Sequence, residues 1–244
     1  FIPVDSEHFS IWSLIDNAKN TDVEKVFITA SGGPFNRFPL NKFKEITIKK
    51  ALKHPNWKMG KKISIDSATL MNKVFEIIEA KKIFNYKYSQ LKILIHPNSY
   101  VHAIVKFNNG LIKMLMHDTN MRIPIFNSFY RNYEKKISTK NIDFDILNNL
   151  NFSNVDLIKF PVVNILKKMP NKDSLFETVL VSANDKLVDL FLNKKITFNQ
   201  ISTLLFKIIK MKEFSKFKKL KAKNIDEIIK LNDYVSLKIE NLTI

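Results

Sequence analysis

The sequence has 244 residues, 45% of them hydrophobic, and no cysteine. This length allows one or two domains with a buried core. The lack of cysteine excludes disulfides, zinc–thiolate sites and cysteine nucleophiles, so any metal must be bound by carboxylates or imidazoles. No apolar run reaches the ~18 residues of a membrane-spanning helix, and the first residues show no signal-peptide pattern. We therefore expect neither a membrane span nor secretion.

The net charge of +17 raises the possibility of nucleic-acid binding. Nearly all of the positive charge is lysine, spread along the whole chain, with only three arginines. Specific nucleic-acid readers favour the bidentate arginine fork, and no motif of such a module is present. We expect no nucleic-acid partner, although a basic nucleic-acid-binding module stays an alternative. The charge could instead attract an anionic substrate.

The first half of the chain alternates short apolar runs with helical patterns, which predicts a mixed sheet with helices. An Asn-Gly pair at Asn109-Gly110 favours a tight hairpin between the last two predicted strands. The predicted strands are Phe1–Val4, Val23–Thr29, Lys62–Ile65, Leu91–Ile95, Tyr100–Phe107 and Leu111–Met116, and one helix is predicted over Ser67–Phe84.

The second half has a different pattern. A polar, Asn-rich stretch, Asn132–Asp156, predicts a linker, and helical apolar spacing follows over Ser174–Asn193, Phe198–Met211 and Asn224–Asn241. The predicted fold is an α+β catalytic domain over residues 1–130, a linker over 131–156, and a small all-α helical bundle over 157–244.

Two acidic residues follow the first predicted strand. Asp5 and Glu7, at i and i+2 on an extended backbone, would project to the same side. Adjacent carboxylates at a strand end suit a hard cation such as Mg²⁺ or Mn²⁺. The alternative is an exposed acidic loop without a metal.

The helix predicted from Ser67 places Asn72, Lys73 and Glu76 together on its polar side, because residues three and four apart are neighbours. Ser67 or Asp66 could cap the helix, whose free N–H groups would suit a phosphate. The alternative is a solvated helix face with an ordinary ion pair.

Two loops could contribute to a site. Ser31-Gly32-Gly33-Pro34 follows a predicted strand and could present N–H groups and a hydroxyl to an anion, or it could be a common turn. Lys53–Gly60 carries Trp57 and Met59 between Pro and Gly, which favours either a mobile flap or a loop whose Trp packs into the core. Of the histidines, His8 and His102 are expected to be structural and His117 to lie in a loop.

These segments, in this order, resemble the 1-deoxy-D-xylulose 5-phosphate reductoisomerase family. The resemblance covers almost the whole chain and is most specific between His54 and Glu76. It rests on PVDSEH (Pro3–His8), SGGPF (Ser31–Phe35), HPNWKMGKKISIDSATLMNK (His54–Lys73) followed by Glu76, IHPNSYVH (Ile95–His102), NMRIPI (Asn120–Ile125) and SANDKLVDLFLNKKITFNQI (Ser182–Ile201).

The resemblance implies a role for each matching residue. Asp5, Glu7 and Glu76 match three carboxylate ligands of Mg²⁺ or Mn²⁺, and with His54 and Trp57 of the flap they form the predicted catalytic set. Gly60 matches a contact to NADPH. The residues matching substrate contacts are Ser6, Glu7, Ser31, His54, Ser67, Asn72, Lys73 and Glu76.

The implied reaction isomerises 1-deoxy-D-xylulose 5-phosphate, a small phosphorylated sugar, and then reduces the intermediate aldehyde with NADPH. The final product is 2-C-methyl-D-erythritol 4-phosphate, and the reaction is a step of non-mevalonate isoprenoid biosynthesis. The resemblance also implies a homodimer, in a bacterial cytoplasm or a plastid-type organelle. No glycine-rich dinucleotide-binding turn occurs in the sequence, so we expect the N-terminal nucleotide-binding domain to be absent from this chain, which alone would be inactive.

Some residues depart from the family pattern. Val74, Leu115 and His117 stand where the family usually has Gly, Gln and Gly. We expect these departures to affect packing and fine specificity and to leave the metal ligands in place. A metal-dependent phosphosugar isomerase or lyase without a redox cofactor is the alternative enzyme, and it would need the same carboxylates and phosphate pocket.

Overall fold

The computed structural model describes residues 1–15, 22–130 and 135–243. Residues 131–134 of the predicted linker, and residue 244, lie outside the described residues. The chain divides into two compact units that alternate along the sequence. The first comprises Phe1–Asn36, Pro55–Lys58 and Asn72–Asp156, and the second Arg37–His54, Met59–Met71 and Leu157–Ile244. The predicted division at 130 and 156 stays a prediction.

The helices and strands follow one another along the described residues. In chain order they are α1 (Ser6–Leu14), β1 (Val23–Ala30), α2 (Ile48–Ala51), α3 (Lys61–Thr69), α4 (Met71–Phe84), β2 (Leu91–Ile95), β3 (Val101–Phe107), β4 (Ile112–Met116), α5 (Arg122–Phe129), α6 (Phe144–Asn148), β5 (Ser153–Asn154), α7 (Phe176–Leu192), α8 (Phe198–Lys210), α9 (Lys212–Ser215) and α10 (Ile225–Thr243).

The first unit is built on a mixed five-stranded sheet with the order β4-β3-β1-β2-β5. Strand β1 runs parallel to β2 and antiparallel to β3, and β3 pairs antiparallel with β4. The hairpin predicted at Asn109-Gly110 is confirmed, with Gly110 at φ +87°, where glycine is favoured. The predicted linker contains α6 and also β5, which pairs with β2.

The predicted opening strand, Phe1–Val4, is wrong. These residues form no strand, and Asp5 instead caps helix α1, its Oδ1 accepting hydrogen bonds from the backbone N–H groups of Glu7 and His8, both at 3.1 Å. An Asp at this position satisfies N–H groups that the first helical turn leaves unpaired. Helix α1 then packs its buried residues, among them Phe9, against β3 and β4.

The predicted strand Lys62–Ile65 is also wrong, and the predicted helix Ser67–Phe84 is confirmed only from Met71 onward. Residues 61–69 form α3, which ends at the left-handed Leu70 with φ +63°. The Thr69 hydroxyl then accepts a hydrogen bond from the Met71 N–H at 3.3 Å, and α4 begins there. The alternation of Lys, Ile, Ser and Ile is too short to distinguish a strand from one helical turn.

The second unit is mainly helical. Helix α7 packs against α3, α8 and α10, and its side chains Phe176, Leu180 and Leu187 are fully buried. Apolar residues at helical spacing supply this core. The predicted fold class, a mixed sheet with helices followed by a helical C-terminal part, is therefore confirmed. Across the described residues no helix combines the length and apolarity that a bilayer span requires.

Candidate metal and substrate site

Three carboxylates converge in the first unit. Asp5 precedes α1, Glu7 lies in its first turn, and Glu76 lies on α4; one oxygen from each lies within 4.8 Å of the others. The convergence anticipated from the sequence is present, although Asp5 and Glu7 are brought together by a helix cap rather than by an extended strand. Three oxygen donors at this spacing suit a hard divalent cation.

A buried lysine lies among these carboxylates. The Lys73 Nζ donates to Glu7 Oε1, to Glu76 Oε2 at 2.8 Å and to Glu76 Oε1 at 3.0 Å. Asn72, one turn before Glu76, donates its side-chain amide to Glu76 Oε1. Lys73 and Glu76 are only 8% and 3% exposed. The alternative of a solvated helix face is therefore excluded.

The carboxylates outnumber the lysine, and the pKa values reflect this imbalance. Burial and the charge of Glu7 raise the pKa of Glu76 well above its ordinary value, although Lys73 acts in the opposite direction. Burial lowers the pKa of Lys73, but the charges of Glu7 and Glu76 outweigh it and raise the value. The negative charge that Lys73 leaves uncompensated, together with the all-oxygen donor set, fits Mg²⁺ or Mn²⁺.

His8 links two of the candidate ligands. Its Nδ1 lies 3.2 Å from Asp5 Oδ1, and its Nε2 lies 2.9 Å from the backbone carbonyl oxygen of Glu76. Burial alone would raise the pKa of Asp5, but the hydrogen bond and charge of His8 bring it down to about 2. The sequence predicted only a structural His8. Recognising Asp5 as a helix cap would have placed His8 beside it, at i+3.

The residues predicted for the phosphate lie in both units. In the first, the Ser31 hydroxyl accepts a hydrogen bond from the Gly33 N–H at 3.0 Å, inside a turn where Gly32 has φ +81°. Ser6 donates its hydroxyl to Glu7. In the second, Ser67 lies near the C-terminal end of α3, so the predicted position at a helix N-terminus is wrong. The phosphate pocket itself stays a prediction.

The predicted flap segment is held in place in the first unit. The Asn56 side-chain amide donates to the Pro97 carbonyl at 2.7 Å and to the Ser99 hydroxyl at 2.8 Å. Next to it, the half-buried Trp57 packs edge-on against His102, with ring centroids 6.2 Å apart at 69°. Trp57 is therefore neither a deep core residue nor without a ring partner.

Two predicted site residues of the flap segment, His54 and Gly60, belong to the second unit. His54 is half-buried and follows α2. Gly60 precedes α3 with φ −64°, and a Cβ there would meet no atom within 4 Å. Its backbone therefore does not require glycine, and its contact with NADPH stays a prediction.

Two histidines stack beside the flap tryptophan. The rings of His102 and His117 have centroids 3.7 Å apart and are nearly parallel, at 16°. Burial and the neighbouring His117 lower the pKa of His102 to about 3. The sequence did not predict this stack, because strand β3 and the segment after β4 meet only in the folded sheet.

Two family models match the chain. A 1-deoxy-D-xylulose 5-phosphate reductoisomerase C-terminal domain matches residues 1–84, and a DXP reductoisomerase C-terminal domain matches residues 116–236. The 1-deoxy-D-xylulose 5-phosphate reductoisomerase of Pelagibacter ubique (strain HTCC1062) is 67% identical over all 244 residues, which span 63% of that relative. The chain belongs to the 1-deoxy-D-xylulose 5-phosphate reductoisomerase family.

Further relatives agree with this assignment. The reductoisomerase of Persephonella marina (strain DSM 14350 / EX-H1) is 42% identical over 214 residues, 88% of this chain and 57% of the relative. A crystal structure of DOX-P reductoisomerase in complex with NADPH, fosmidomycin and magnesium matches with a TM-score of 0.87 and 30% identity, over 99% of this chain and 62% of that one. The chain thus spans about three fifths of the reductoisomerases it matches.

The departures from the family pattern differ in their surroundings. Val74 is fully buried on α4. At 100° per residue it points to a different side of the helix from Lys73 and Glu76. Leu115 pairs with Ala103 across the hairpin, and His117 forms the stack with His102. Of the three departures, His117 is the one whose ring stacks on His102, which in turn contacts the predicted catalytic residue Trp57.

Proposed function

We propose that this chain supplies the metal- and substrate-binding part of a 1-deoxy-D-xylulose 5-phosphate reductoisomerase. The protein would convert 1-deoxy-D-xylulose 5-phosphate to 2-C-methyl-D-erythritol 4-phosphate with NADPH. The single observation that carries the proposal is the convergence of Asp5, Glu7 and Glu76 in a family member. Membership of the family favours this function over an isomerase or lyase without a redox cofactor and over a nucleic-acid-binding module.

Asp5, Glu7 and Glu76 would hold Mg²⁺ or Mn²⁺. When bound, such an ion polarises the oxygens of the substrate as a Lewis acid. Lys73 keeps Glu76 and Glu7 in place by its hydrogen bonds, and Asn72 orients the Glu76 carboxylate from one helical turn away. His8 fixes Asp5 in the same way that outer partners commonly orient metal ligands.

The substrate phosphate would be bound by Ser31, Ser67, Asn72 and Lys73, with Ser6 near the sugar. Trp57 and His54 would cover the substrate and exclude water. The related crystal structure of DOX-P reductoisomerase is a complex with NADPH, fosmidomycin and magnesium. This supports Mg²⁺ and NADPH as cofactors here. We propose that the nicotinamide is held mainly by a dinucleotide-binding domain, with Gly60 as a contact from this chain.

The experiment is an absorbance assay of NADPH consumption with substrate and Mn²⁺. We expect turnover when the chain is combined with a dinucleotide-binding domain, in cis or as a separate polypeptide, and none from the chain alone. Glu76→Gln should abolish turnover, whereas the matched control Asp66→Asn, which removes a buried carboxylate in the second unit, should retain it. Conversion of substrate without NADPH would contradict the proposal and favour the isomerase or lyase.

We also propose a homodimer, formed through strand β4. This strand lies at the edge of the sheet, and its side chains Ile112 and Met114 are 63% and 44% exposed. An apolar edge strand commonly pairs with another chain. Sedimentation equilibrium of the full chain distinguishes a dimer from a monomer. The matched relatives come from bacteria, which favours a bacterial cytoplasm over a plastid-type organelle.

A further inference from the structure

Three aromatic rings form a continuous pile in the first unit. Trp57 lies edge-on to His102 at 6.2 Å, and His102 stacks on His117 at 3.7 Å. We call Trp57, His102 and His117 the ring pile. Aromatic pairs at such separations stabilise the folded state by more than the burial of their apolar area alone. Trp57 thus rests on a support that is two rings deep.

The bottom ring, His117, is fixed by its own backbone and side chain. The backbone N–H of His117 donates to the Tyr100 carbonyl at 3.1 Å, and the backbone carbonyl oxygen of His117 lies 3.1 Å from His102 Nε2. The His117 Nδ1 lies 2.7 Å from the Asp118 carbonyl, so Nδ1 carries the hydrogen and Nε2 is left as an acceptor. This Nε2 is buried and has no hydrogen-bond partner among the described residues.

Because Nε2 has no hydrogen-bond partner among the described residues, hydrogen bonding alone does not explain why a histidine occupies position 117. A buried acceptor without a partner is unfavourable, and a glycine would avoid it. Burial lowers the pKa of His117 as well as that of His102. Both rings are therefore neutral near pH 7, and stacking meets no charge repulsion. Besides the hydrogen bond of Nδ1 to the Asp118 carbonyl, the His117 side chain packs its ring face against His102.

The flap segment is thereby held at two adjacent points. Asn56 is hydrogen-bonded to Pro97 and Ser99, and the next residue, Trp57, rests on the ring pile. The Asn56 bonds hold that side chain, and the edge-on contact with His102 gives the neighbouring indole an aromatic partner. The pile fixes the indole plane, and an indole held in one orientation loses less conformational entropy when a ligand packs on it.

We infer that His117 is a positioning residue for the flap: through His102 it holds the Trp57 indole in the orientation that covers the substrate. This inference rests on the proposed function for the identity of the substrate. The ordering of Trp57, by contrast, is a property of the ligand-free chain. It can be measured whether or not the chain acts as a reductoisomerase.

The first measurement uses the ligand-free full chain with Trp12→Phe, so that Trp57 is the sole tryptophan. His117→Gly should increase quenching of Trp57 fluorescence by acrylamide. It should also speed amide hydrogen exchange of residues 56–58 by roughly three- to tenfold, as expected for losing one aromatic contact. Unchanged quenching and exchange would overturn the inference.

Two further variants separate the ring from its nitrogen. His117→Phe keeps an aromatic face without Nε2 and should restore the parent behaviour; His117→Asn keeps polarity without the ring and should behave like His117→Gly. This comparison holds even if the glycine variant folds poorly. Restoration by Asn and not by Phe would overturn the inference, because the polar atom would then be the functional part.

The second measurement is kinetic, on the chain combined with its dinucleotide-binding domain. His117→Gly should raise KM for 1-deoxy-D-xylulose 5-phosphate by roughly three- to tenfold, with Mn²⁺ affinity unchanged and His117→Phe restoring KM. An unchanged KM beside altered fluorescence would overturn the link between flap order and substrate. If no variant turns over, the proposed function fails while the fluorescence result still decides the role of His117 in ordering Trp57.

Discussion

Two clusters in this molecule bury acidic groups beside a lysine, and they differ in how completely the acid is satisfied. The carboxylate cluster of the first unit consists of Asp5, Glu7, Lys73 and Glu76. The clamp cluster of the second unit consists of Lys62, Asp66, Asn184 and Asp185. In both, an asparagine amide donates to a buried carboxylate, Asn72 to Glu76 and Asn184 to Asp66.

In the clamp cluster each oxygen of the buried acid has its own donor. Asp66 is 1% exposed; its Oδ1 accepts from Asn184 at 2.7 Å, and its Oδ2 accepts from Lys62 at 2.7 Å. The second acid, Asp185, lies 2.9 Å from Lys62, and its side chain is 48% exposed. Water can therefore solvate the charge that Lys62 does not neutralise.

The carboxylate cluster has no such balance. Glu7 and Glu76 share one lysine, and their side chains are only 12% and 5% exposed. Asp5, whose side chain is 46% exposed and lies beside His8, adds a third acid within 4.8 Å. Excess negative charge at a buried position is unfavourable unless a cation compensates it. Two buried carboxylates that share one lysine, rather than a buried acid as such, therefore distinguish the proposed metal site.

The largest expected effect is on metal affinity, which should fall when the carboxylate cluster is changed and not when the clamp cluster is changed. Glu76→Gln should weaken Mn²⁺ binding by roughly 100-fold or more, because two remaining carboxylates are too few to displace the hydration shell. Asp66→Asn, the matched removal of one lysine-paired carboxylate, should leave it unchanged. Isothermal titration of Mn²⁺ into the full chain gives both affinities. Equal losses in the two variants would contradict the assignment of the metal to the carboxylate cluster.

The next effect concerns stability in the absence of divalent metal. Lys73→Met leaves Glu7 and Glu76 without a cation in a buried place, so we expect unfolding free energy to fall by about 3–5 kcal/mol. Lys62→Met should cost only about 1–2 kcal/mol, because Lys62 is 45% exposed and Asp66 keeps its Asn184 bond. Urea unfolding with a chelator measures both.

Addition of Mg²⁺ sharpens this test. A ligand that binds only the folded state raises stability, so saturating Mg²⁺ should recover much of the loss in Lys73→Met and none in Lys62→Met. A loss of equal size in both lysine variants, with no recovery by Mg²⁺, would mean that the carboxylate cluster is as structural as the clamp cluster.

The smallest effect is the pH dependence of the clamp cluster. Burial raises the pKa of Asp66 above its ordinary 3.8, although Lys62 opposes this. An acid with a raised folded-state pKa contributes stability that is complete below the unfolded value and is lost as pH rises through the folded value. Asp66→Asn should therefore gain stability relative to the parent as the pH rises from about 4 to 7.

Urea unfolding at the two pH values measures this gain. Asp185→Asn is the control, since its exposed carboxylate should produce no comparable pH-dependent difference. A gain for Asp66→Asn that is equal at both pH values would show that the buried charge of Asp66 does not drive the effect.

Local sequence determined the elements whose signals are long or chemically distinct. Helices α7, α8 and α10 and strands β1 to β4 follow from apolar periodicity, and the hairpin follows from Asn109-Gly110. The spacing of Asn72, Lys73 and Glu76 fixed their adjacency, because helix geometry places residues three and four apart side by side. Sequence motifs also sufficed for the family.

Local sequence failed where two conformations were nearly equal in preference. The residues before Asp5 form an apolar run only four residues long, and Lys62–Ile65 alternates over only four residues. Windows this short do not separate strand from helix or loop. The cap made by Asp5 and the left-handed turn at Leu70 decided these places, through backbone hydrogen bonds that a periodicity count does not include.

Only the tertiary structure decided which side chains meet across distant segments. Glu76 lies 69 residues after Glu7 in the numbering, and the bond between Lys73 and Glu7 forms because α1 and α4 are folded in one unit. The stack of His102 on His117 likewise depends on β3 and β4 pairing. Residue type and local spacing determine what a side chain can do, whereas burial and non-local packing determine its partners and hence its charge balance.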